Sequence, residues 1–248
     1  MAHVIHSINT TAGGLCHHLD SVTGDEHQQY AIDLTLSADA LIFGRNTFDL
    51  FMLFWPDAVN RSDLPEATVA LAKAFTEIPK LVVSSRPVEL SWANTRHIQG
   101  PNLNKVAHEL DQLRGTAVIF GSPSFASSLL NERLVNEVHI LAQPYVGIEG
   151  PRAFSGLDKR ISLSLLGCMP LKEGFSAAAI QCELTGGSGL KYTDYLHRFS
   201  PALSTSTQYN AVKKPLLAKP SEPKGCVFLF REMKAYFAGG ERTLCSCE

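Results

Sequence analysis

The stretch Ala40-Leu41-Ile42-Phe43-Gly44-Arg45-Asn46-Thr47-Phe48 says more about the fold of this chain than any other. Residues 40–43 are four apolar residues in a row, a length typical of a buried strand and too short for a helix. Gly44 ends this run, and residues 45–51 then have helical spacing. A buried strand that passes directly into a helix is typical of a parallel sheet covered by helices.

Alternation of this kind continues from residue 3 to residue 184. Strands that alternate with helices build a mostly parallel sheet, and the last predicted strands follow one another without a helix. We therefore predict an α/β fold with a mostly parallel central sheet, antiparallel strands at its C-terminal end, and helices on both faces. Further strands are predicted at residues 4–8, 80–85, 96–98, 117–121, 137–146, 162–166 and 177–184, and further helices at residues 104–113 and 122–134.

An early helix is predicted to begin at the pattern Thr23-Gly24-Asp25-Glu26. Thr23 would cap this helix, and Glu26 would return a hydrogen bond to the cap from three residues further on, as in a capping box. Tyr30 and Leu34 share one face of the helix, and we expect that face to lie against the sheet.

The composition is that of an ordinary globular protein. Apolar residues make up 45% of the 248 residues, charged residues 19%, and the formal net charge is -2. Nucleic-acid binding is not expected, because it needs a clustered basic face, and a membrane span is not expected, because it needs about 18 consecutive apolar residues. The N-terminus has no basic segment followed by an apolar one, so we expect a cytoplasmic protein whose six cysteines are thiols.

Two short patterns contain potential metal ligands, His17-His18 and Cys245-x-Cys247. Each offers two ligands, whereas a structural zinc site takes four. We therefore predict no metal site.

The character of the sequence changes after residue 185. Gly186-Gly187-Ser188-Gly189 is typical of a flexible linker, and residues 200–225 are rich in Ser, Thr, Pro and Lys. Such a composition cannot bury enough apolar surface to offset the entropy of ordering the chain. We therefore expect one folded domain over residues 1–185 and a mostly disordered extension over residues 186–248.

Three predicted strand ends carry residues suited to a phosphorylated ligand, and open α/β sheets bind ligands at the carboxyl ends of their strands. At the first, Gly44 permits a close approach to the backbone, and the helix that follows attracts anions to its N-terminus. Arg45 and Thr47 add a guanidinium group and a hydroxyl. The alternative is a tight turn with a solvated Arg45.

The second strand end carries Ser84, Ser85 and Arg86. Two hydroxyls and a guanidinium group suit the 2′-phosphate of NADPH, because each charge-assisted hydrogen bond contributes about 1.5–3 kcal/mol. The alternative is an ordinary polar loop.

The third strand end is Gly121-Ser122, directly before Pro123. Here a pyrophosphate could reach the N-terminus of the next helix. The alternative is a plain helix start, with Ser122 as the N-cap and Pro123 in the first turn, and both interpretations can hold together.

In this order, the stretches resemble the dihydrofolate-reductase-like superfamily, and within it the family named for the C-terminal reductase domain of the riboflavin-biosynthesis protein RibD. The resemblance covers about residues 3–184 and implies the dihydrofolate-reductase-like three-layer fold. It also implies NADPH as cofactor, hydride transfer to a small heterocycle of the ribosylaminopyrimidine or pterin type (as in 5-amino-6-(5-phosphoribosylamino)uracil reduction), and a homodimer formed through the late strands. The matching stretches are residues 37–48, 54–56, 80–86, 121–122, 129–130, 134–138 and Pro144.

The resemblance assigns residues of this chain to each part of the cofactor. The implied contacts are Gly44, Arg45 and Thr47 with the phosphates, Ser84, Ser85 and Arg86 with the adenosine end, Gly121 and Ser122 with the pyrophosphate and nicotinamide ribose, and Ile8 and Asn9 with the nicotinamide.

Candidates for the substrate end follow from the same region. Phe51, Phe54 and Trp55 could line a substrate pocket, because planar rings stack on aromatic side chains, although core packing would explain them equally well. His27 and Glu26 are candidate proton donors, and a packed or surface histidine is the alternative for His27.

The chain departs from the family pattern near the presumed substrate end. Gly13-Gly14 stands where the family usually has Asp-Gly, and Ile148-Glu149-Gly150 stands where it has a G-x-G loop. His27-Gln28-Gln29 offers no carboxylate like that of the folate enzymes, so folate reduction is not expected. Two hypotheses remain: an NADPH-dependent reductase, and a catalytically silent nucleotide-binding or dimer-forming module of the same fold.

Overall fold

The computed structural model describes residues 1–18, 21–100, 102–147 and 149–183. The extension predicted over residues 186–248 lies outside the described residues. Within them, the strands are β1 (His3–Thr10), β2 (Ala40–Gly44), β3 (Lys80–Ser84), β4 (Thr95–Gln99), β5 (Thr116–Phe120), β6 (Glu137–Ala142), β7 (Leu163–Pro170) and β8 (Ser176–Cys182). The helices are α1 (Asp25–Leu36), α2 (Arg45–Met52), α3 (Trp55–Ala58), α4 (Glu66–Glu77), α5 (Leu103–Gln112) and α6 (Pro123–Asn131), and a 3-10 turn spans Lys172–Gly174.

All eight strands belong to one sheet, in the order β4-β3-β2-β5-β1-β6-β8-β7. The first six strands in this order, β4-β3-β2-β5-β1-β6, are all parallel to one another. Strand β8 is antiparallel to both of its neighbours, β6 and β7. The predicted fold class, with antiparallel strands at the C-terminal end, is therefore confirmed.

Strand β5 lies between β1 and β2, although it follows both of them in the chain. Ser7 of β1 lies opposite Phe120 of β5, and Ile42 of β2 lies opposite Ile119 of β5. The carboxyl ends of β1, β2 and β5 therefore meet at one edge of the sheet. In an open α/β sheet this is where ligands bind, because the loops leaving neighbouring strands diverge and leave a crevice.

The alternation of side chains along each strand divides the core into two layers. One face of the sheet packs on α1, α2 and α4, through residues such as Ile5, Phe43 and Val118. The other face packs on α5 and α6, through residues such as Val4 and Ile119. Helices thus cover both faces, and the side chains that point to the first face at the carboxyl edge lie beside α1 and α2.

The outermost strand, β7, exposes Leu163 (50% exposed) and Leu165 (66% exposed). The homodimer expected through the late strands stays a prediction. No helix in the described part of the chain is long and apolar enough to cross a membrane.

Two expectations about helices were wrong or incomplete. The capping box is wrong: the N-cap of α1 is Gly24 without a side-chain cap, and Glu26 instead accepts a hydrogen bond from the backbone of Lys172 at 2.8 Å. Glu26 also pairs with the Lys172 ammonium at 2.9 Å, and only the folded chain brings Lys172 there.

Helix α4 was not predicted, although a signal for it exists. It begins directly after Pro65 and places Leu71 and Phe75, four residues apart, on one buried face. Its C-terminal end is held by the buried Lys80, whose ammonium donates to the carbonyls of Phe75 at 2.6 Å and Ile78 at 2.8 Å. Burial lowers the pKa of Lys80 to about 8.

Replacing Lys80 with methionine is expected to destabilise the protein. Methionine keeps the apolar stem but leaves the carbonyls at the end of α4 without their donor, and each unsatisfied buried group costs about 1–3 kcal/mol. We expect the free energy of unfolding in urea to fall by about 2–4 kcal/mol. Lys73→Met, on the exposed face of α4, should change it by less than about 0.5 kcal/mol; equal effects of the two variants would reject the capping role of Lys80.

Candidate active site

A cavity of about 660 Å³ opens at the carboxyl edge of the sheet, where β1, β2 and β5 end. A volume of this size is typical of a pocket for a small molecule or cofactor. Its lining includes eleven of the residues predicted for the site: Ile8, Asn9, His27, Gly44, Arg45, Thr47, Phe51, Phe54, Trp55, Gly121 and Ser122. The first and third predicted turns therefore converge on one cavity.

Three residues join the first and third turns directly. The backbone N–H of Gly44 donates to the hydroxyl of Ser122 at 3.1 Å, and the backbone N–H of Ser122 donates to the hydroxyl of Thr47 at 3.0 Å. A Cβ on Gly44 would lie 2.9 Å from the Cβ of Phe125 in α6. Gly44 is therefore required for the close approach of α2 and α6.

The turn Gly121-Ser122 has left-handed backbone, with φ of 56° and 50°. For Ser122 this conformation is strained, so the surrounding contacts must hold it. The N–H of Gly121 donates to the Ser7 carbonyl at 2.9 Å, and Nε2 of the buried His6 lies 2.8 Å from the Gly121 carbonyl. Burial lowers the pKa of His6 to about 4, although the hydrogen bond to Gly121 acts in the opposite direction.

Ser122 is at the predicted N-cap position of α6, but its side chain does not cap that helix. Its hydroxyl is committed to Gly44 on the neighbouring strand. Helix α2 begins in the same way, directly after Gly44 and without a side-chain cap within the described residues. Residues at both helix N-termini line the cavity, which places the partial positive charges of the two helices beside it. Helix α6 begins with Pro123, which has no N–H, so its first available N–H groups are those of Ser124 and Phe125.

Arg45 lies at the start of α2 and is held on the rim of the cavity. Its Nε donates to the carboxylate of Asp49 at 2.6 Å, and its Nη1 donates to the carbonyl of Pro87 in the loop after β3. Arg45 is therefore not simply solvated, and its guanidinium is positioned between α2 and that loop.

The second predicted turn is placed differently. Val83 lines the cavity, but Ser84, Ser85 and Arg86 are not among the lining residues. The hydroxyl of Ser84 closes its own turn, because it donates to the Arg86 carbonyl at 2.8 Å. The side chains of Ser85 and Arg86 are exposed beyond the rim, and a contact with the adenosine end stays a prediction.

His27 lies in the first turns of α1, next to the end of β1. Its Nε2 lies 2.9 Å from Oδ1 of Asn9, and its ring packs against Phe175 with 5.5 Å between ring centroids. Burial lowers the pKa of His27 to about 4, so the imidazole is neutral near pH 7. Glu26, the other candidate proton donor, is not among the lining residues and pairs with Lys172 at 2.9 Å.

One side of the cavity is an aromatic wall, which we define as Phe51, Phe54, Trp55 and Phe75. Trp55 is central: its ring centroid lies 4.9 Å from that of Phe75 and 5.1 Å from that of Phe54. Phe75 was missed from the sequence because α4 was missed, and the buried stripe of that helix was the available signal. The wall gives a planar ring apolar surfaces to stack on.

The family model for the RibD C-terminal domain matches residues 15–176, more than half of the chain. The chain belongs to the RibD C-terminal domain family. The resemblance seen in the sequence is thereby confirmed. Among curated proteins, no sequence matches this chain significantly.

Solved structures share the fold of this RibD C-terminal domain. A putative riboflavin biosynthesis protein from Shewanella sp. PV-4 superposes with a TM-score of 0.57 at 18% identity, over 74% of this chain and 100% of that one. Dihydrofolate reductase from Enterococcus faecalis, complexed with NADP(H) and RAB-propyl, gives 0.51 at 12% identity, over 73% and 97%. Acinetobacter baumannii RibD gives 0.53 at 15% identity, over 74% of this chain and 58% of that one. At these identities the likeness shows the dihydrofolate-reductase-like fold alone.

Gly13 stands where the resemblance to the family led us to expect an aspartate. The Gly13 carbonyl accepts a hydrogen bond from Nη1 of Arg152 at 3.1 Å, and the neighbouring Cys16 N–H donates to the Pro151 carbonyl at 2.8 Å. The loop after β1 is thus fixed against residues 151–153 by its backbone. Its position beside the cavity does not depend on a side chain at residue 13.

Proposed function

We propose that this domain is an NADPH-dependent reductase that transfers hydride to a small heterocycle of the pyrimidine or pterin type. The observation that carries the proposal is the pair of helix N-termini, of α2 and α6, that face one cavity without side-chain caps. Such termini bind phosphate through N–H groups and the helix dipole. Two of them side by side suit a pyrophosphate. Membership of a reductase family supports the same conclusion.

The residues present fit the cofactor. Gly121 leaves room beside the turn, since a Cβ there would meet only Thr47, at 3.5 Å or more. Arg45 is the cation at the phosphate end, and Ile8 and Asn9 lie where the nicotinamide is expected. NADPH supplies the hydride when bound, and the protein aligns the reacting atoms and excludes water.

The neutral His27 has a positioning part in this scheme. With a pKa of about 4 the imidazole is neutral near pH 7, so His27 does not supply a proton as an imidazolium. Its hydrogen bond to Asn9 fixes the amide at the end of β1, beside the expected nicotinamide. We propose that this pair orients the substrate ring and that the proton arrives from water.

A catalytically silent nucleotide-binding module is the second candidate, and the absence of a side chain at Gly13 favours it. Both candidates require that NADPH binds. This is tested by titrating NADPH with the full chain and monitoring the fluorescence of the cofactor. Oxidation of bound NADPH in the presence of pyrimidine, pterin or quinone acceptors supports the reductase. Tight NADPH binding without turnover across that panel supports the silent module, and no binding at high micromolar cofactor ends both.

Replacing Arg45 with alanine is expected to weaken NADPH binding about tenfold or more, because a charge-assisted contact with the phosphates is lost. Fluorescence titration gives the Kd, and thermal unfolding checks that the fold is intact. Arg61→Ala is the matched control, because Arg61 also forms a surface pair, with Asp63 at 2.5 Å, but does not line the cavity. An unchanged Kd in Arg45→Ala would reject the phosphate assignment.

A further inference from the structure

A second cavity, of about 350 Å³, lies on the face of the sheet that α5 and α6 cover. Its described lining shares no residue with that of the candidate active site. The two cavities lie toward opposite ends of α6: Pro123 at the start of the helix lines the first, and Leu130 near its end lines the second. An α-helix rises about 1.5 Å per residue, so about 10 Å of helix separates them.

The described lining of the second cavity is basic. Three cationic side chains, Arg133, Lys159 and Arg160, line it together with one carboxylate, that of Glu183, although the whole chain has a net charge of -2. Glu183 accepts a hydrogen bond from the Ser164 hydroxyl at 2.8 Å. The ion pairs found within the described residues include neither Lys159 nor Arg160. An excess of positive charge therefore surrounds the cavity.

The buried part of this lining is apolar and uncharged. Leu130, Val135 and Cys182 are buried, and Ile161 is half-buried against the same core layer. Burial, with a smaller contribution from the carboxylate of Glu137, raises the pKa of the Cys182 thiol to about 11. The thiol is therefore neutral near pH 7 and adds no negative charge to the cavity.

The loop that carries Lys159 and Arg160 is fixed to the end of α6 by Asn131. Nδ2 of Asn131 donates to the carbonyl of Gly156 and to the carboxylate of Asp158, both at 3.0 Å, and its Oδ1 accepts from the N–H of Asp158 at 3.1 Å. Asp158, the acid next to the two cations in the sequence, is thus bonded to Asn131 and does not line the cavity. The two basic side chains therefore extend from a backbone that is held in place.

Arg133 occupies a backbone position that usually belongs to glycine. The N–H of Leu134 donates to the Leu129 carbonyl at 2.9 Å and the N–H of Arg133 to the Leu130 carbonyl at 3.0 Å, which is the Schellman motif at the end of a helix. Arg133 has the left-handed φ of that motif, 58°, which is unfavourable for a residue with a Cβ. An arginine there places a positive charge at the C-terminal end of α6 and a side chain in the lining of the cavity, whereas the preceding Glu132 does not line it.

We propose that the second cavity binds a small organic phosphate monoester, with the phosphate on Arg133, Lys159 and Arg160 and the organic group on the aliphatic part of the lining. A phosphate monoester carries about 1.5 to 2 negative charges near pH 7, which complements three cations and one carboxylate. Guanidinium groups suit phosphate because they can donate two parallel hydrogen bonds to it. The site is separate from the one that the proposed function concerns.

Phenyl phosphate tests this proposal, compared with phenol, which lacks the phosphate, and with inorganic phosphate, which lacks the ring. Binding to the full chain is measured by isothermal titration calorimetry at low ionic strength, without NADPH and with saturating NADPH. We expect phenyl phosphate to bind with a Kd below about 1 mM, at least tenfold tighter than either comparison compound, and equally well in both conditions. Displacement of phenyl phosphate by NADPH would assign its binding to the cofactor site and overturn the proposal.

Single variants locate the binding. Lys159→Gln and Arg160→Gln should each raise the Kd of phenyl phosphate about fivefold, because a charge-assisted contact is lost. Lys105→Gln removes the same charge from an exposed position on α5 outside the lining and should leave the Kd unchanged. Arg133→Gly removes the guanidinium but suits the left-handed backbone, so it should retain the Tm and still raise the Kd about fivefold.

Absence of phenyl phosphate binding would overturn the proposal, and so would equal losses in Lys159→Gln and Lys105→Gln. Phenol that binds as tightly as phenyl phosphate would show an apolar pocket without recognition of the anion, and inorganic phosphate that does so would show that the organic group is not bound. Either result contradicts the proposed ligand. The full chain includes the residues that follow Glu183, so their effect on access to the cavity is part of the measurement.

Discussion

Gly44→Ala is expected to weaken NADPH binding by at least tenfold and to lower the free energy of unfolding by about 1–3 kcal/mol, the usual cost of overpacking a tight site. The added Cβ would lie 2.9 Å from the Cβ of Phe125. A Cβ is fixed to its backbone, so the start of α6 has to move. That movement breaks the hydrogen bond from Gly44 to Ser122 and displaces the second helix N-terminus from the cavity.

Fluorescence titration and urea unfolding measure the two effects of Gly44→Ala. Gly13→Ala is a suitable control, because a Cβ there would meet only the Thr11 hydroxyl, at 3.8 Å, in ordinary contact. If Gly44→Ala bound NADPH as tightly as the unmodified protein, the two helix N-termini would not form the cofactor site.

Unfolding in mild acid is the second large effect that we expect. The pKa values of His6 and His27 are lowered by burial from the ordinary 6.5 to about 4. Between these pH values the unfolded chain binds protons that the folded chain does not, so stability is lost as the pH falls from 6.5 to 4. Each histidine contributes about 3 kcal/mol to that loss, a large share of a typical total of about 5–15 kcal/mol.

Glu137 extends the loss to lower pH. Burial acts to raise its pKa, but hydrogen bonds from His139 at 3.0 Å and His3 at 2.7 Å outweigh burial and lower the pKa to about 2. For a carboxylate, a lowered pKa means stability that is present above pH 4.5 and is lost as the pH falls toward 2.

Urea unfolding at a series of pH values from 7.5 to 4 measures this dependence. His6→Gln and His27→Gln should each flatten the pH dependence, because a glutamine binds no proton in either state. His108→Gln, exposed on α5, should leave it unchanged. Stability that stays constant between pH 6.5 and 4 would contradict the burial of neutral His6 and His27.

The strands were predictable because their sequences are locally decisive. Residues 40–43 and 117–120 are apolar runs that end at glycine, and β2 and β5 end there in the structure. Helix α5 begins and ends within a residue of its predicted bounds, because Val106 and Leu110 give it clear spacing. Helix α4 was not predicted, although its buried stripe, with Leu71 and Phe75 four residues apart, was a local signal for it.

The site was predictable where the local motif itself makes the contact. Gly44, Arg45 and Thr47 line the cavity as expected. The turn from β2 into α2 is formed by these neighbouring residues themselves, so its position at the end of the strand follows from the local sequence. Ser84 does not line it, because its hydroxyl is satisfied within its own turn. Glu26 does not line the cavity and instead accepts a hydrogen bond from Lys172, which lies 146 residues away in the sequence. No local sequence pattern predicts that partner.

The sequence by itself determined the class of fold, the family, and the two glycine turns, because apolar periodicity and glycine act over a few residues and need no distant partner. Only the tertiary structure decided that β5 enters between β1 and β2, so that Gly44 and Ser122 meet. It also decided which side chains from α1, α2 and α4 line a common cavity. Side-chain burial and pairing depend on contacts across the whole domain, and a local sequence pattern does not reveal those contacts.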